Sequence, residues 1–402
     1  FLAFPPRWLW AIHAHRATIS IAPNFAFDLC VRKVNDDEIR GLDLGSLRIL
    51  LNGSEAIVPE TIQRFTKRFM RYGFKAEAIC PVYGLAECSV GLAVSPLGRL
   101  PRIDRVTRKS FQQTGRAEPA DINDPLPLQF VSCGTPLPEH EILITNGKGC
   151  PVGERVVGHV LFRGPSVTRG YFRNPDATNK VLRSDGWMDS GDLGYWADNE
   201  LFLTGRLKDL IIKAGRNLYP HEIEELIGSI SGIRKGCVAA LGVQDATLGT
   251  ERLILIAETR ETSAECRKQI HSTITDQMMS VLGIAPDSVV FSPPGSILKT
   301  SSGKIRHAAT RDAYLNGRLV QARHRLITQW GHIILKSVSS GFGRLLARLG
   351  SILFTGYVVA LLALTLPLLW GSLLVTNSKR TADRFIRAWS RALYSSSTVF
   401  GR

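Results

Sequence analysis

Tyr83 and Glu87 stand four residues apart in "CPVYGLAECS" (80–89), where a strand-like run gives way to a turn. A ring at a strand end can stack on a base. A nearby carboxylate can hold Mg²⁺ beside phosphates, because magnesium takes hard oxygen ligands and keeps several of its waters. The plainer reading is a buried tyrosine and a glutamate at a helix start. In "GWMDSGDLGYW" (186–196), Asp189 and Asp192 fall in what reads as a Gly-rich turn. A carboxylate there can accept two hydroxyl hydrogens at once, as ribose recognition requires. Asp and Gly are also ordinary turn residues.

"SILKTSSGKIRHAATRD" (296–312) places Lys304 at the tip of a small-residue loop that leads into a helix. It is not a phosphate-binding P-loop. Seven residues separate Gly295 from Gly303 where the motif has four, and Ile305 stands where Ser or Thr would meet the metal. Lys304 is therefore a cation on a flexible loop, able to stabilise developing negative charge or simply solvated. In "LTGRLKDLIIKAGRNLYPHEIEE" (203–225), a strand, a turn, a second strand and a helix succeed one another. Arg206, Lys208, Asp209, Lys213 and Arg216 interrupt the apolar positions, and Gly205 and Gly215 mark the turns.

The elements that must carry these groups read as α/β. "LRILLNG" (47–53) is a buried strand. "PETIQRFTKRFMRYG" (59–73) has Pro at its start, Ile62, Phe65 and Phe69 at helical spacing, and Gly73 as stop. "AEAICPVYG" follows as a strand, so the order predicts a parallel unit. A loop-rich span over 98–130 comes next, then β-rich segments "HEILIT", "HVLFRG" and "LFLTG". Residues 209–317 predict a smaller α+β unit. It holds strands in "DLIIKAG", "GCVAALGV", "RLILIAET" and "SVVF", and helices from Pro220, near 263–281 and after Lys304.

"NGSEAIVPE", "PVYGLAE", "GHVLFRGPSVTRGYFRNPDAT", "GWMDSGDLGYW", the 203–225 stretch and "LKTSSGKIR" occur in one series. Over about residues 1–317 that series resembles the adenylate-forming superfamily of acyl-CoA synthetases, luciferases and peptide-synthetase adenylation domains. The resemblance implies ATP or AMP and Mg²⁺ as cofactors. It implies that Gly53, Ser54 and Glu55 form a loop against adenine and that Tyr83, followed by Gly84, stacks on the base. Glu87 would assist Mg²⁺, Asp192 would hold the ribose hydroxyls and Arg206 would contact ribose or phosphate. Lys304 would support adenylate formation, Lys208 would be the hinge between a large and a small domain, and the Gly215 turn would approach a pantetheine arm.

"ATISIAPNFAFDLCVRK", "VYGLAECSVGLAV", "VSCGTPLPEHEILI" and the extra stretch "RIDRVTRKSFQQTGRAEPADINDPLP" resemble the fatty acyl-AMP ligases most closely. In that branch an insertion disfavours transfer to CoA. The implied partners are a fatty acid and an acyl carrier protein whose phosphopantetheine thiol takes the acyl group. Two other readings stand beside it: a fatty acyl-CoA synthetase, and a non-catalytic membrane-tethered protein of the same fold. The family's Ser/Thr/Gly-rich phosphate loop lies upstream of "PNFAF" in relatives and is absent here, and the first residue is Phe1. The chain therefore reads as a fragment, inactive alone. Ser190 stands where many relatives carry Thr.

The whole chain sets further bounds. Its 402 residues suffice for two to three domains. The net charge is +15, of which +11 lies in 318–402 (twelve Lys/Arg against Asp383), leaving +4 for the rest. Residues 350–378 carry no charged side chain, and the apolar run Ile352–Val375 exceeds the roughly 20 residues that span a bilayer. Membrane contact follows, and nucleic acid is not expected. Basic residues at both ends, with Pro367 between, predict a segment that dips in and returns; a simple span is the alternative.

The expected organisation is therefore 1–206, the C-terminal part of a large AMP-binding domain, and 207–317, a small mobile subdomain. A basic linker (318–348) and a membrane segment (349–376) follow, contacting lipid. "LPLLWGSLLVTNSKRTADRFIRAWSRALY" resembles the start of a 1-acylglycerol-3-phosphate acyltransferase, so 377–402 would begin such a domain. The seven cysteines are scattered, with no CxxC pair, and suit reduced thiols in a cytoplasmic catalytic part.

Overall fold

The computed structural model describes residues 4–245, 250–300, 303–319, 355–375 and 379–398. The chain forms two compact units, 1–321 and 322–402. In the first, α1 (Pro6–Ala14), β1 (Ile19–Pro23), α2 (Asn24–Lys33), β2 (Ile49–Gly53), α3 (Pro59–Phe69) and β3 (Ile79–Tyr83) alternate as read. β1, β2 and β3 run parallel, with Leu51 opposite both Ile21 and Cys80. Parallel strands need a crossover, and α2 and α3 supply it. Ile62, Phe65 and Phe69 are buried against the sheet with Phe27 and Phe74. Phe65 lies 4.6–5.3 Å from Phe27, Phe69 and Phe74 between ring centres. Each such aromatic pair contributes about 0.5–1.5 kcal/mol beyond its burial.

β4 (Ala93–Val94) extends this sheet. The span 98–130, expected to be loop-rich, is instead built around β5 (Ile103–Val106), α4 (Arg108–Thr114) and β6 (Leu128–Val131). β5 and β6 pair antiparallel. Tertiary packing overrides the turn-like composition: Phe111, Phe130 and Tyr195 bury their rings together. β7 (Thr135–Pro136) closes the first sheet.

A second, antiparallel sheet has the order β11-β10-β9-β8, with β8 (Glu141–Thr145), β9 (Gly158–Arg163), β10 (Met188–Ala197) and β11 (Glu200–Arg206). α5 (Pro175–Val181) precedes β10. Residues 188–196, read as a Gly-rich turn, are therefore strand. They pair on both sides, and the turn residues mark a bulge between Asp189 and Leu193.

Beyond β11, β12 (Ile211–Lys213) and β13 (Arg216–Leu218) form a hairpin over Ala214 and Gly215. α6 (Pro220–Gly228), β14 (Ile233–Asp245), β15 (Thr250–Thr259), α7 (Ala264–Leu282), β16 (Ser288–Ser292) and α8 (His307–Leu315) complete the unit. β14 and β15 are antiparallel, and β15 and β16 parallel. α6 and α7 bury Ile223, Ile227, Ile274 and Met278 on one face of this sheet, while Ile297 and α8 cover the other. Ser263 caps α7 by accepting the Cys266 N–H, and Gly283 ends it at φ +64°. Five of the seven cysteines are buried and all are free.

In the second unit, α9 (Thr355–Leu374) is long and apolar enough to cross a membrane by length and composition. It runs unbroken through Pro367, which does not divide it into the re-entrant pair expected. α10 (Lys379–Thr398) follows. Of the linker expected over 318–348, residues 320–348 lie outside the described residues, as do 349–354 and 376 of the expected membrane segment and 377–378 and 399–402 of the expected acyltransferase start.

Candidate active site

β3 ends at Tyr83, and the chain turns at once. A side chain on Gly84 would come within 1.6 Å of the Val90 carbonyl oxygen, so glycine there is a packing requirement. Gly53 is similar: an added Cβ would lie 2.7 Å from the Val82 oxygen. Their place in the motifs reflects backbone contact between neighbouring turns as much as any ligand. Ser54 sits at φ 72°, beginning the loop after β2.

The strand ends bring the first group together. The buried Tyr83 hydroxyl donates to Asp192 Oδ2 at 2.7 Å. Asp192 faces Arg206 directly across β10 and β11, and Arg206 Nε lies 3.2 Å from Oδ1. At the β10 bulge, the Ser190 hydroxyl donates to the Val160 carbonyl at 2.7 Å and accepts the Asp192 N–H at 3.1 Å. It restores hydrogen bonds that the irregular ladder loses. Burial pushes the Asp192 carboxyl up. The Tyr83 hydroxyl, Arg206 and Lys208 pull it back. Each carboxylate oxygen retains acceptor capacity beyond its present partner, which is what a pair of ribose hydroxyls needs.

Glu87 accepts the Tyr171 hydroxyl on Oε1 at 2.7 Å, and its carbonyl accepts the Thr168 N–H. No group of three or more His, Cys, Asp and Glu fit for a metal occurs among the described residues. Mg²⁺ is commonly held by one or two carboxylates together with substrate phosphates, and Glu87, with one oxygen lacking a hydroxyl donor, fits that mode.

Glu55 departs from a simple adenine contact. Its Oε1 accepts the Phe25 N–H at 2.5 Å, at the start of α2, where Pro23 offers no side-chain cap. Its carboxyl is raised by burial, opposed by the Phe25 N–H and then by Lys304 and Lys299. The charge of Lys304, from the far end of the unit, thus reaches the Glu55 carboxyl on the loop that follows β2. Its hairpin is fixed by the Thr300 N–H to Lys304 carbonyl bond and the Arg306 N–H to Leu298 carbonyl bond, both 2.9 Å.

Lys208 lies in a single helical turn, Leu207–Asp209, between β11 and β12. Its charge reaches both Asp192 and His307. At the tip of the β12–β13 hairpin, Ala214 (φ 51°) and Gly215 (φ 71°) are both left-handed, as a tight two-residue turn demands. An added Cβ at Gly215 meets nothing within 4 Å. The open side leaves room for a ligand to come close.

Four participants had no role in the sequence reading: Tyr171, Arg108, Phe111 and His307. Arg108 of α4 pairs with the half-buried Glu222 of α6, and Phe111 lies 5.3 Å from Tyr219 between ring centres. Lys235 adds a second tie, 3.5 Å from Asp28 of α2. "GYF" around Tyr171 was the available signal for its ring; nothing local marks a partner more than a hundred residues away.

The chain thus has a mixed α/β fold with an aromatic–carboxylate–guanidinium cluster at its strand ends. Residues 1–172 match the AMP-binding enzyme family. The chain is 35% identical over 337 residues to the long-chain-fatty-acid–AMP ligase FadD26 of Mycobacterium marinum, covering 78% of this chain and 56% of that protein. It is 36% identical to the 4-hydroxyphenylalkanoate adenylyltransferase of Mycobacterium tuberculosis, covering 79% and 53%. A structure from a study of fatty acyl-adenylate ligases of E. coli and L. pneumophila superposes with TM-score 0.73 at 35% identity, covering 78% of this chain and 56% of that one. The chain carries an AMP-binding domain, and the proteins it is similar to include fatty acyl-AMP ligases. It spans about half the length of the curated relatives it matches.

Proposed function

We propose that the protein containing this chain activates a fatty acid as acyl-AMP and passes the acyl group to the phosphopantetheine thiol of a carrier protein. A carboxylate oxygen attacks the α-phosphorus of ATP, and the bond to pyrophosphate breaks. The thiol then attacks the acyl carbon of the mixed anhydride, AMP leaves, and the thiol proton is lost. The observation that carries this reading is the meeting of Tyr83, Asp192 and Arg206 at the strand ends.

In this reading Asp192 holds the ribose hydroxyls, Tyr83 sets the base plane, and Arg206 orients the sugar-phosphate. Lys304 neutralises charge developing at the phosphates. Glu87 would hold Mg²⁺, which supplies Lewis-acid charge on phosphate oxygens when bound. Residues 207–317 turn about Lys208 between half-reactions, exchanging the Lys304 hairpin for the Gly215 turn.

Carrier protein is favoured over CoA by α4. Arg108 and Phe111 hold Glu222 and Tyr219 just beyond the Gly215 hairpin, a contact that opposes the rotation. α9 supports a membrane-associated protein, and a single crossing fits its continuity better than a re-entrant pair. Arg380, Arg384, Arg387 and Arg391 share one face of α10, suiting an anionic surface beside it.

The test is to incubate the full-length protein with ATP, Mg²⁺, lauric acid and CoA and to read products by mass spectrometry. Acyl-AMP without acyl-CoA is expected. Rapid acyl-CoA formation would make it an acyl-CoA synthetase, and no product at all would favour a non-catalytic tether.

A further inference from the structure

Three residues beyond Lys304, at the first position of α8, His307 meets two carboxylates. Its Nε2 lies 2.6 Å from Glu224 Oε1 of α6, and its Nδ1 lies 3.6 Å from Asp209 Oδ2 of the hinge turn. Glu224 is itself fixed to β14, accepting the Ala240 N–H at 3.0 Å. A neutral imidazole has one N–H, so donation to Glu224 would leave a lone pair turned toward Asp209. Only the imidazolium suits both carboxylates.

We infer that His307, as an imidazolium bridging Glu224 and Asp209, is a positioning residue that anchors the Lys304 hairpin to the hinge for acyl-AMP formation. The covalent path is short. Lys299 and Ile305 pair across the hairpin, and α8 starts two residues later, so the bearing of α8 sets where Lys304 points. This inference rests on the reading of Lys304 as the adenylation lysine.

The groups facing His307 are Glu224 and His221 from α6, and Asp209 and Lys208 from the hinge turn. Burial, Lys208 and the positive end of α8 all disfavour its charge, but the two carboxylates outweigh them and raise it above the ordinary 6.5. His221 is pushed the other way, chiefly by burial, and stays the neutral neighbour. The bridge is therefore complete below 6.5 and lost as pH rises through the elevated value.

Two measurements test it. In single-turnover assays of the full-length protein, His307→Ala should slow acyl-AMP formation at least tenfold while consumption of supplied acyl-AMP by a thiol changes less than twofold. His307→Arg, always charged, should restore the first step and flatten its alkaline limb. Equal loss in both steps for His307→Ala, or no loss, or a folded His307→Arg that fails to rescue, overturns the inference. Separately, NMR titration of the His307 ring in this chain should give a pKa above 6.5 that falls in Asp209→Asn. An unchanged titration overturns the bridge even if the protein forms no acyl-AMP, an outcome that would instead count against the functional reading.

Discussion

Asp192 serves two partners with opposing demands. Its burial disfavours the carboxylate, yet Tyr83 and Arg206 are both satisfied by it. With the folded carboxyl raised above 3.8, the ionised group detracts from stability at neutral pH and ceases to do so as pH falls through the raised value. Asp192→Asn removes that burden and also the Arg206 pair, so the two effects largely offset. Stability should change by no more than about 1 kcal/mol, while affinity for AMP falls at least tenfold. Thermal melts and calorimetric titration with AMP check both; unchanged AMP binding would remove Asp192 from the nucleotide site. Glu55 carries a different lesson. A residue placed by motif against adenine is also the cap of α2, so its replacement will confound stability with binding.

At the scale of elements, the unit β5–α4–β6 matters most. Arg108 and Glu222 are both less than a fifth exposed. Removing one partner of such a buried pair costs about 3 kcal/mol, because the other charge is left without compensation. Burial already pushes the Glu222 carboxyl up, and Arg108 is what opposes it. Arg108→Ala should therefore loosen the contact between α4 and α6 and let acyl-CoA appear, at about a tenth of the acyl-AMP or more, where the wild type forms none. Acyl-CoA that stays absent would deny α4 any part in excluding CoA.

For the whole molecule, the charge distribution and α9 act together. A net +11 over 318–402 brackets an uncharged helix of membrane-spanning length. Each Lys or Arg held near an anionic bilayer adds about 1 kcal/mol of attraction, screened by salt. The full-length protein should float with phosphatidylcholine vesicles and gain affinity when phosphatidylserine is included. Truncation after residue 345 should leave it at the bottom of the gradient. Flotation that survives this truncation would place membrane contact elsewhere.

The parallel β2–α3–β3 unit, the α6 and α7 helices and the position of every motif were legible in the local sequence. Periodic apolar residues, caps and turn glycines are local signals, and the Phe65 spacing or the Gly73 stop needs no distant partner. Three other features came from long-range packing. Residues 188–197 are strand because β9 and β11 pair with them on both sides, against a turn-like composition. The 98–130 span is ordered because Phe111 and Phe130 find Tyr195, which local sequence cannot show. His307 meets Glu224 and Asp209, more than eighty residues earlier in the chain. Contacts between residues so far apart in the chain arise from packing, and no spacing rule encodes them.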